Sequence, residues 1–162
     1  MLELQRVDAD HEQAILAFEL ANREYFAASI SDRGDEFYEQ FSERHRALLD
    51  EQDSGECAFH VLVDDDEAVM GRFNLYDLAD GTARVGYRIA RQVAGRGVAT
   101  DSLREMCRLA KDRYGLLTLT AVVANSNLAS RRVLEKAGFV AGEDCMVAGR
   151  PGVRYVLDLP GR

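Results

Sequence analysis

The run Gln92-Val93-Ala94-Gly95-Arg96-Gly97-Val98-Ala99-Thr100 sets two glycines where a predicted strand gives way to a predicted helix. Glycine lets the backbone take φ > 0 and lets an anion come close. The first N–H groups of a helix lack partners inside it, and with the helix dipole they form an anion site. Arg96, between the glycines, adds a charge-assisted contact to a phosphate. The chemistry on offer is the holding of a phosphate or pyrophosphate. On spacing alone a plain turn fits equally well. Thr100 stands where a dinucleotide fingerprint has its third glycine, and the Gly-Lys-Ser/Thr ending of a Walker loop is missing.

A second polar group follows. Asn125-Ser126-Asn127 reads as a turn that caps a short helix, and Ser130 lies on the same helix side as Asn127, three residues on. His11, His45 and His60 read as structural, with His60 on the polar side of its strand. Cys57, Cys107 and Cys145 lack the spacing of a zinc site, so no metal is expected and reduced thiols are. Nothing places a base beside Cys107 to make it a nucleophile.

These groups need a scaffold, and the patterning supplies one. Residues 2–7 alternate as a strand. Asp8 or Asp10 caps a helix reaching about Tyr25, and residues 31–35 turn. A second helix carries Tyr38, Phe41, His45 and Leu48 at helical spacing and ends at residues 53–55. Residues 57–63, 68–76 and 83–89 read as three antiparallel strands, with turns at residues 64–67 and 80–81. Ala99, Leu103, Met106, Ala110 and Tyr114 form one helical stripe. Residues 116–124 run apolar without alternation, as a strand covered on both faces would. A helix at 128–137 and strands at 139–147 and 153–159 close the chain. The order βααβββαβαββ, with a strand–helix–strand unit in a mostly antiparallel sheet, predicts a mixed α/β fold of the α+β kind.

Composition bounds the function. A length of 162 residues predicts one domain spanning 1–162. Twenty basic against 28 acidic residues give a net charge of −8, which disfavours nucleic acid as a partner. No run is apolar enough to cross a membrane, and residues 1–10 lack the apolar core of a signal peptide. A cytoplasmic location is expected.

With both motifs in hand, the sequence resembles the GNAT superfamily of acetyl-CoA-dependent N-acetyltransferases. Residues 92–97 look like its Gln/Arg-x-x-Gly-x-Gly/Ala pyrophosphate loop. Asn127-x-x-Ser130, followed by Val133-Leu134-Glu135-Lys136-Ala137-Gly138-Phe139, resembles the branch holding ribosomal-protein N-terminal acetyltransferases, as does Val85-Gly86-Tyr87. The similarity is strongest over residues 83–143. It implies acetyl-CoA as cosubstrate, with Arg88, Ile89 and Ala90 pairing with the pantetheine arm and Gly95, Arg96, Gly97, Val98, Ala99 and Thr100 holding the pyrophosphate. Asn127 would bond the arm, and Ser130 would stabilise the leaving thiolate. The acceptor would be a primary amine, on a protein N-terminus or a small molecule, attacking directly. Aromatic residues Tyr25, Phe26, Phe37, Tyr38 and Phe41 read as core packing, in a region that forms one acceptor wall in the family. Relatives include monomers and dimers, so a homodimer is compatible.

The chain also departs from the family pattern. Leu134 stands where many members have a tyrosine acid, Val122 where some carry a glutamate, and Arg84 where the branch often has an acidic residue. Glu143 is the nearest candidate base, with Asp144, Asp77, Tyr87 or ordered water as alternatives. The departures lend weight to a noncatalytic acyl-CoA-binding or sensing module. A nucleotide-binding regulatory domain is a weaker third reading.

Overall fold

Asn22 ends the first helix early, and the reason is its side chain. In the computed structural model, which describes residues 1–29 and 31–160, Asn22 Nδ2 donates to the Phe18 carbonyl four residues back. A side chain that competes for helix carbonyls disfavours continuation. The single helix expected to reach about Tyr25 is therefore α1 (Glu12–Ala21) and α2 (Arg23–Ala27), preceded by a 3₁₀ turn, Ala9–His11. The second expected helix also divides, at Gln40, into α3 (Asp35–Glu39) and α4 (Phe41–Asp53). Tyr38 thus sits on a different helix from Phe41 and His45.

Among the described residues, seven strands form one sheet in the order β1-β2-β3-β4-β5-β7-β6. They are β1 (Glu3–Arg6), β2 (Ala58–Val63), β3 (Val69–Ala79), β4 (Thr82–Ile89), β5 (Thr118–Ala124), β6 (Val140–Val147) and β7 (Arg150–Asp158). The chain divides into two compact units: Met1–Asn74 with Tyr87–Ala94, and Leu75–Gly86 with the chain from Gly95 onward.

In the first unit β1 pairs antiparallel with β2. All six positions of β2 are buried, and His60 is fully enclosed. The expected polar side of this strand does not exist, because both its faces are covered. Ile15 and Phe18 bury one stripe of α1, and Glu19 lies buried on it too. His45 Nε2 bonds the Asp8 carbonyl, and His11 Nδ1 accepts from the Asp8 N–H, so both have structural roles.

The second unit holds α5 (Val98–Asp112) and α6 (Leu128–Lys136). Leu103, Met106 and Ala110 on the expected α5 stripe are fully buried. β5 corrects the reading of residues 116–124 as covered on both faces. Leu119, Ala121 and Val123 are buried, Thr118 and Thr120 are half-buried, and Val122 is 41% exposed. One face is open, and the site discussed below begins there.

β7 starts at Arg150, not near residue 153, because Ala148 and Gly149 make a two-residue hairpin turn with φ of 50° and 79°. Gly152 sits under this hairpin. A Cβ there would lie 2.6 Å from the Val123 carbonyl oxygen and 2.6 Å from Val147 Cγ2. The carbonyl belongs to a paired strand and cannot move aside. Gly152→Ala is expected to cost about 1–3 kcal/mol through overpacking, read as a lowered midpoint in thermal or urea unfolding. An unchanged midpoint would show that the hairpin yields.

Candidate active site

The glycine turn becomes an open cradle. Gly95 and Gly97 both take positive φ, 75° and 78°, and added Cβ atoms would meet nothing within 4 Å. Gly97 is the N-cap of α5, and no side chain caps that end. The first α5 amides, on Val98, Ala99 and Thr100, are thus left for an external acceptor at the positive end of a 15-residue helix. Asp101 in the first turn has Arg104 3.7 Å away, which offsets its charge. Arg96 is exposed beside the cradle. This fits a pyrophosphate well.

In the first unit, the end of β4 is fixed by hydrogen bonds. The Ala90 N–H donates to the Met70 carbonyl, and the Arg91 N–H donates to Asn22 Oδ1. The Arg88 carbonyl also faces β3, since a Cβ on Gly71 would lie 3.1 Å from it. Backbone groups alternate along a strand, so the Ile89 N–H and C=O point the other way. The parallel pairing of β4 with β5 covers only Thr82, Ala83 and Arg84. Of Arg88, Ile89 and Ala90, it is Ile89 that presents backbone groups away from β3.

At the start of α6, Asn127 Oδ1 caps the helix by accepting from the Ser130 N–H at 3.2 Å. Its oxygen is committed to the helix, leaving Nδ2 to donate outward. Ser130 is half-buried. Leu134 is 1% exposed, so the position that carries a tyrosine in many GNAT members belongs to the core here. Beneath α6, the Tyr155 hydroxyl donates to Glu135 at 2.7 Å and accepts from Arg131 Nε at 3.1 Å, which fixes the helix on its sheet.

The open face of β5 lines a groove of about 600 Å³ with Asp77, Arg84, Thr118, Thr120, Val122, Glu143 and Arg154 among its walls. Glu143 reaches it through a bulge. Ala141 pairs with Tyr155 and Asp144 with Val153, so β6 carries one extra residue there. A bulge re-aims a side chain. Without it Glu143 would alternate with Gly142 to the opposite face; with it both line the groove beside Arg154. Arg84, placed where an acid was expected from the branch, lies 3.8 Å from Asp77 and stacks over Tyr76 at 4.6 Å. Tyr87 stacks on Phe73 at 5.4 Å, a packing role.

The first unit holds a charge cluster that no sequence motif marks. Glu19 is 1% exposed, and its Oε2 accepts from Arg72 Nη1 at 2.8 Å and from Arg88 Nη2 at 2.7 Å. Burial lowers the Arg88 pKa; Glu19 opposes this, while Arg33 and Arg72 add to it. The Arg88 guanidinium lies 4.6 Å from the Phe26 ring centre. Nearby, burial and then the Asp32 and Glu19 charges raise the Tyr38 phenol, with Arg23 and Arg33 opposing. The sequence did hold a signal: Glu19 falls four residues after Ile15, on the apolar stripe of α1.

Cys107 is buried, and burial pushes its thiol up to about 12, so it holds almost no thiolate at neutral pH. No group of three or more metal-ligating side chains occurs among the described residues. No helix among them is long and apolar enough to cross a membrane.

Residues 2–140 match the family model described as "Acetyltransferase (GNAT) domain". The probable N-acetyltransferase YjcK of Bacillus subtilis is 29% identical over 143 residues, covering 84% of this chain and 77% of that protein. The ribosomal-protein-S5-alanine acetyltransferase of Vibrio fischeri superposes with a TM-score of 0.89 at 16% identity, over 98% of this chain and 93% of its own. The spermidine N-acetyltransferase of Vibrio cholerae, solved with CoA and spermine, gives 0.80 at 17% identity, over 98% and 95%. Both structural likenesses are likenesses of fold.

Proposed function

The chain belongs to the acetyltransferase (GNAT) domain family, and from that premise we propose that its two units serve one N-acetyltransferase domain, with the residues above dividing the work. The reaction moves an acetyl group from acetyl-CoA to a primary amine. The observation that carries the assignment is the uncapped start of α5 behind two positive-φ glycines.

Amides from Gly95 to Thr100, with Arg96, hold the pyrophosphate. The Ile89 peptide groups pair with the pantetheine amides in the manner of an added strand. Asn127 Nδ2 donates to the same arm. The acceptor amine, neutral when it attacks, reaches the thioester carbonyl directly, and correct positioning supplies a large part of the rate. As the tetrahedral species collapses, the C–S bond breaks and CoA leaves as thiolate. Ser130 stabilises that charge, since Leu134 cannot act as an acid. Glu143, aimed into the groove by its bulge, takes the proton from the amine directly or through water. We place the reaction in the cytoplasm, with a protein N-terminus or a small molecule as acceptor, not nucleic acid. Net charge supports the latter exclusion.

Titration calorimetry with acetyl-CoA, and with ATP for comparison, tests the reading. Acetyl-CoA should bind with a Kd far below that of ATP. Folded protein that ignores acetyl-CoA would reduce the cradle to a turn. Two substitutions test the chemistry. Ser130→Ala and Glu143→Gln should each lower kcat by about 10²-fold, the usual scale for losing a donor to developing charge and a proton-transfer group respectively, with acetyl-CoA affinity unchanged. A kcat within twofold of wild type would remove that residue from its role.

A further inference from the structure

The Glu19 cluster is unbalanced, and the imbalance bears on which amine the enzyme takes. One carboxylate faces two guanidiniums, and a single oxygen, Oε2, serves both. Glu19 Oε1 and Arg72 Nε are buried with no hydrogen-bond partner among the described residues. Arg33, whose charge also bears on Arg88, lies over the Phe37 ring and is exposed, so the poorly solvated excess is that of Arg72 and Arg88 against Glu19. Arg23 does not add to the excess, because Asp32 and Asp35 bind it at 2.8 and 2.9 Å. Excess positive charge in a poorly solvated place favours an incoming anion, and disfavours a second cation.

The three side chains differ in reach. Glu19 and Arg72 are 1% and 8% exposed, whereas Arg88 keeps 18%. Only its Nη2 is engaged by Glu19, so the rest of the guanidinium edge has donors for a further acceptor. Glu19 and the Phe26 ring hold the group in one orientation, which lowers the entropy lost on binding. Arg88 is also the neighbour of Ile89, the residue assigned above to the cofactor arm. An anion held by Arg88 would therefore be one residue along the chain from the backbone assigned to the cofactor arm.

We infer that Arg88, backed by Arg72 and pinned by Glu19, recognises a carboxylate on the acceptor, so that the substrate is an amine carrying a carboxylate rather than a polyamine. This rests on the transferase reading given above. The carboxylate can belong to a free amino acid or to an acidic residue near a peptide N-terminus. Both present the same group to the guanidinium.

The test is a competition. Wild-type enzyme with acetyl-CoA is given an equimolar mixture of the L-amino acids, their primary amides, spermidine, and short peptides differing only in Asp or Asn, and Glu or Gln, at the second position. Products are counted by mass spectrometry. Carboxylate-bearing members should exceed their amide partners by about tenfold or more in kcat/KM, the worth of one charged hydrogen bond, with spermidine last. The amino-acid and peptide arms tell the two carboxylate sources apart. Arg88→Met should bring the acid-to-amide ratio to about one, and Arg88→Lys should retain part of it. A cluster that only fastens α1 to the strands would leave the ratio unchanged in both variants, and that result overturns the proposal. Equal use of acids and amides by wild type overturns it without any variant. So does acetyl-CoA binding with no carboxylate-bearing product. Failure to bind acetyl-CoA would instead overturn the transferase reading itself.

Discussion

Gly97→Asp is expected to lower acetyl-CoA affinity by about a hundredfold or more while the protein stays folded. Two effects combine. Gly97 takes φ of 78° at the N-cap of α5, and a side chain in that left-handed region costs roughly 1–2 kcal/mol. The larger effect is a carboxylate set in the space where pyrophosphate oxygens would meet the first α5 amides. Like charges there oppose each other, and the new carboxylate can also accept from those amides itself. Gly97→Asn separates the two effects, because it brings a similar shape and tolerates the left-handed region without the charge. Calorimetry on both variants should give a much larger loss for Asp than for Asn. Equal affinities for Gly97→Asp and wild type would remove the cradle from the mechanism.

Glu19→Ala should be as destabilising as truncating a large core side chain of the first unit. It leaves the Arg72 and Arg88 guanidiniums buried without their common anion. Breaking a buried pair by removing one partner typically costs about 3–5 kcal/mol. A domain of this size has about 5–15 kcal/mol in all, so the midpoint of thermal unfolding should fall by roughly 10 °C or more. The triple variant Glu19→Leu, Arg72→Met, Arg88→Met should recover most of that loss, because it removes the charges together. If Glu19→Ala melts with wild type, water already solvates the arginines and the cluster is not closed.

What the sequence made legible, and what it hid, follows from the range of the interactions involved. The glycine turn, the Gly138 stop and the α5 stripe from Ala99 to Ala110 are local and lie where their residues imply, although α5 ends at Asp112 and leaves Tyr114 beyond it. The order of strands along the chain and the mixed fold class also follow from the run of local signals, whereas the place of β7 between β5 and β6 in the sheet does not. Asn22 shows what local reading misses. Helical spacing continues through it, yet its side chain takes the Phe18 carbonyl and the Arg91 N–H, and the second partner lies 69 residues away. Glu19 was hidden for the same reason, since Arg72 and Arg88 are 53 and 69 residues distant. β5 shows a third kind of failure. Its run of threonine, valine and alanine hides an alternation that only its solvent exposure separates. The groove position of Glu143 was not legible either, because a bulge depends on the pairing of two strands, here β6 with β7.

The extra residue in β6 has a consequence for how molecules of this protein meet one another. β6 ends the sheet order, so one row of its peptide groups lacks a strand partner among the described residues, and Val140 and Met146 on it are 69% and 66% exposed. A flat edge of that kind is a template for strand-to-strand self-association. The Gly142–Glu143 irregularity breaks the repeat that an incoming strand would have to match. The bend that aims a carboxylate at the groove also guards the chain against aggregation. The same two residues thus set both the lining of the groove and the mismatch at the edge.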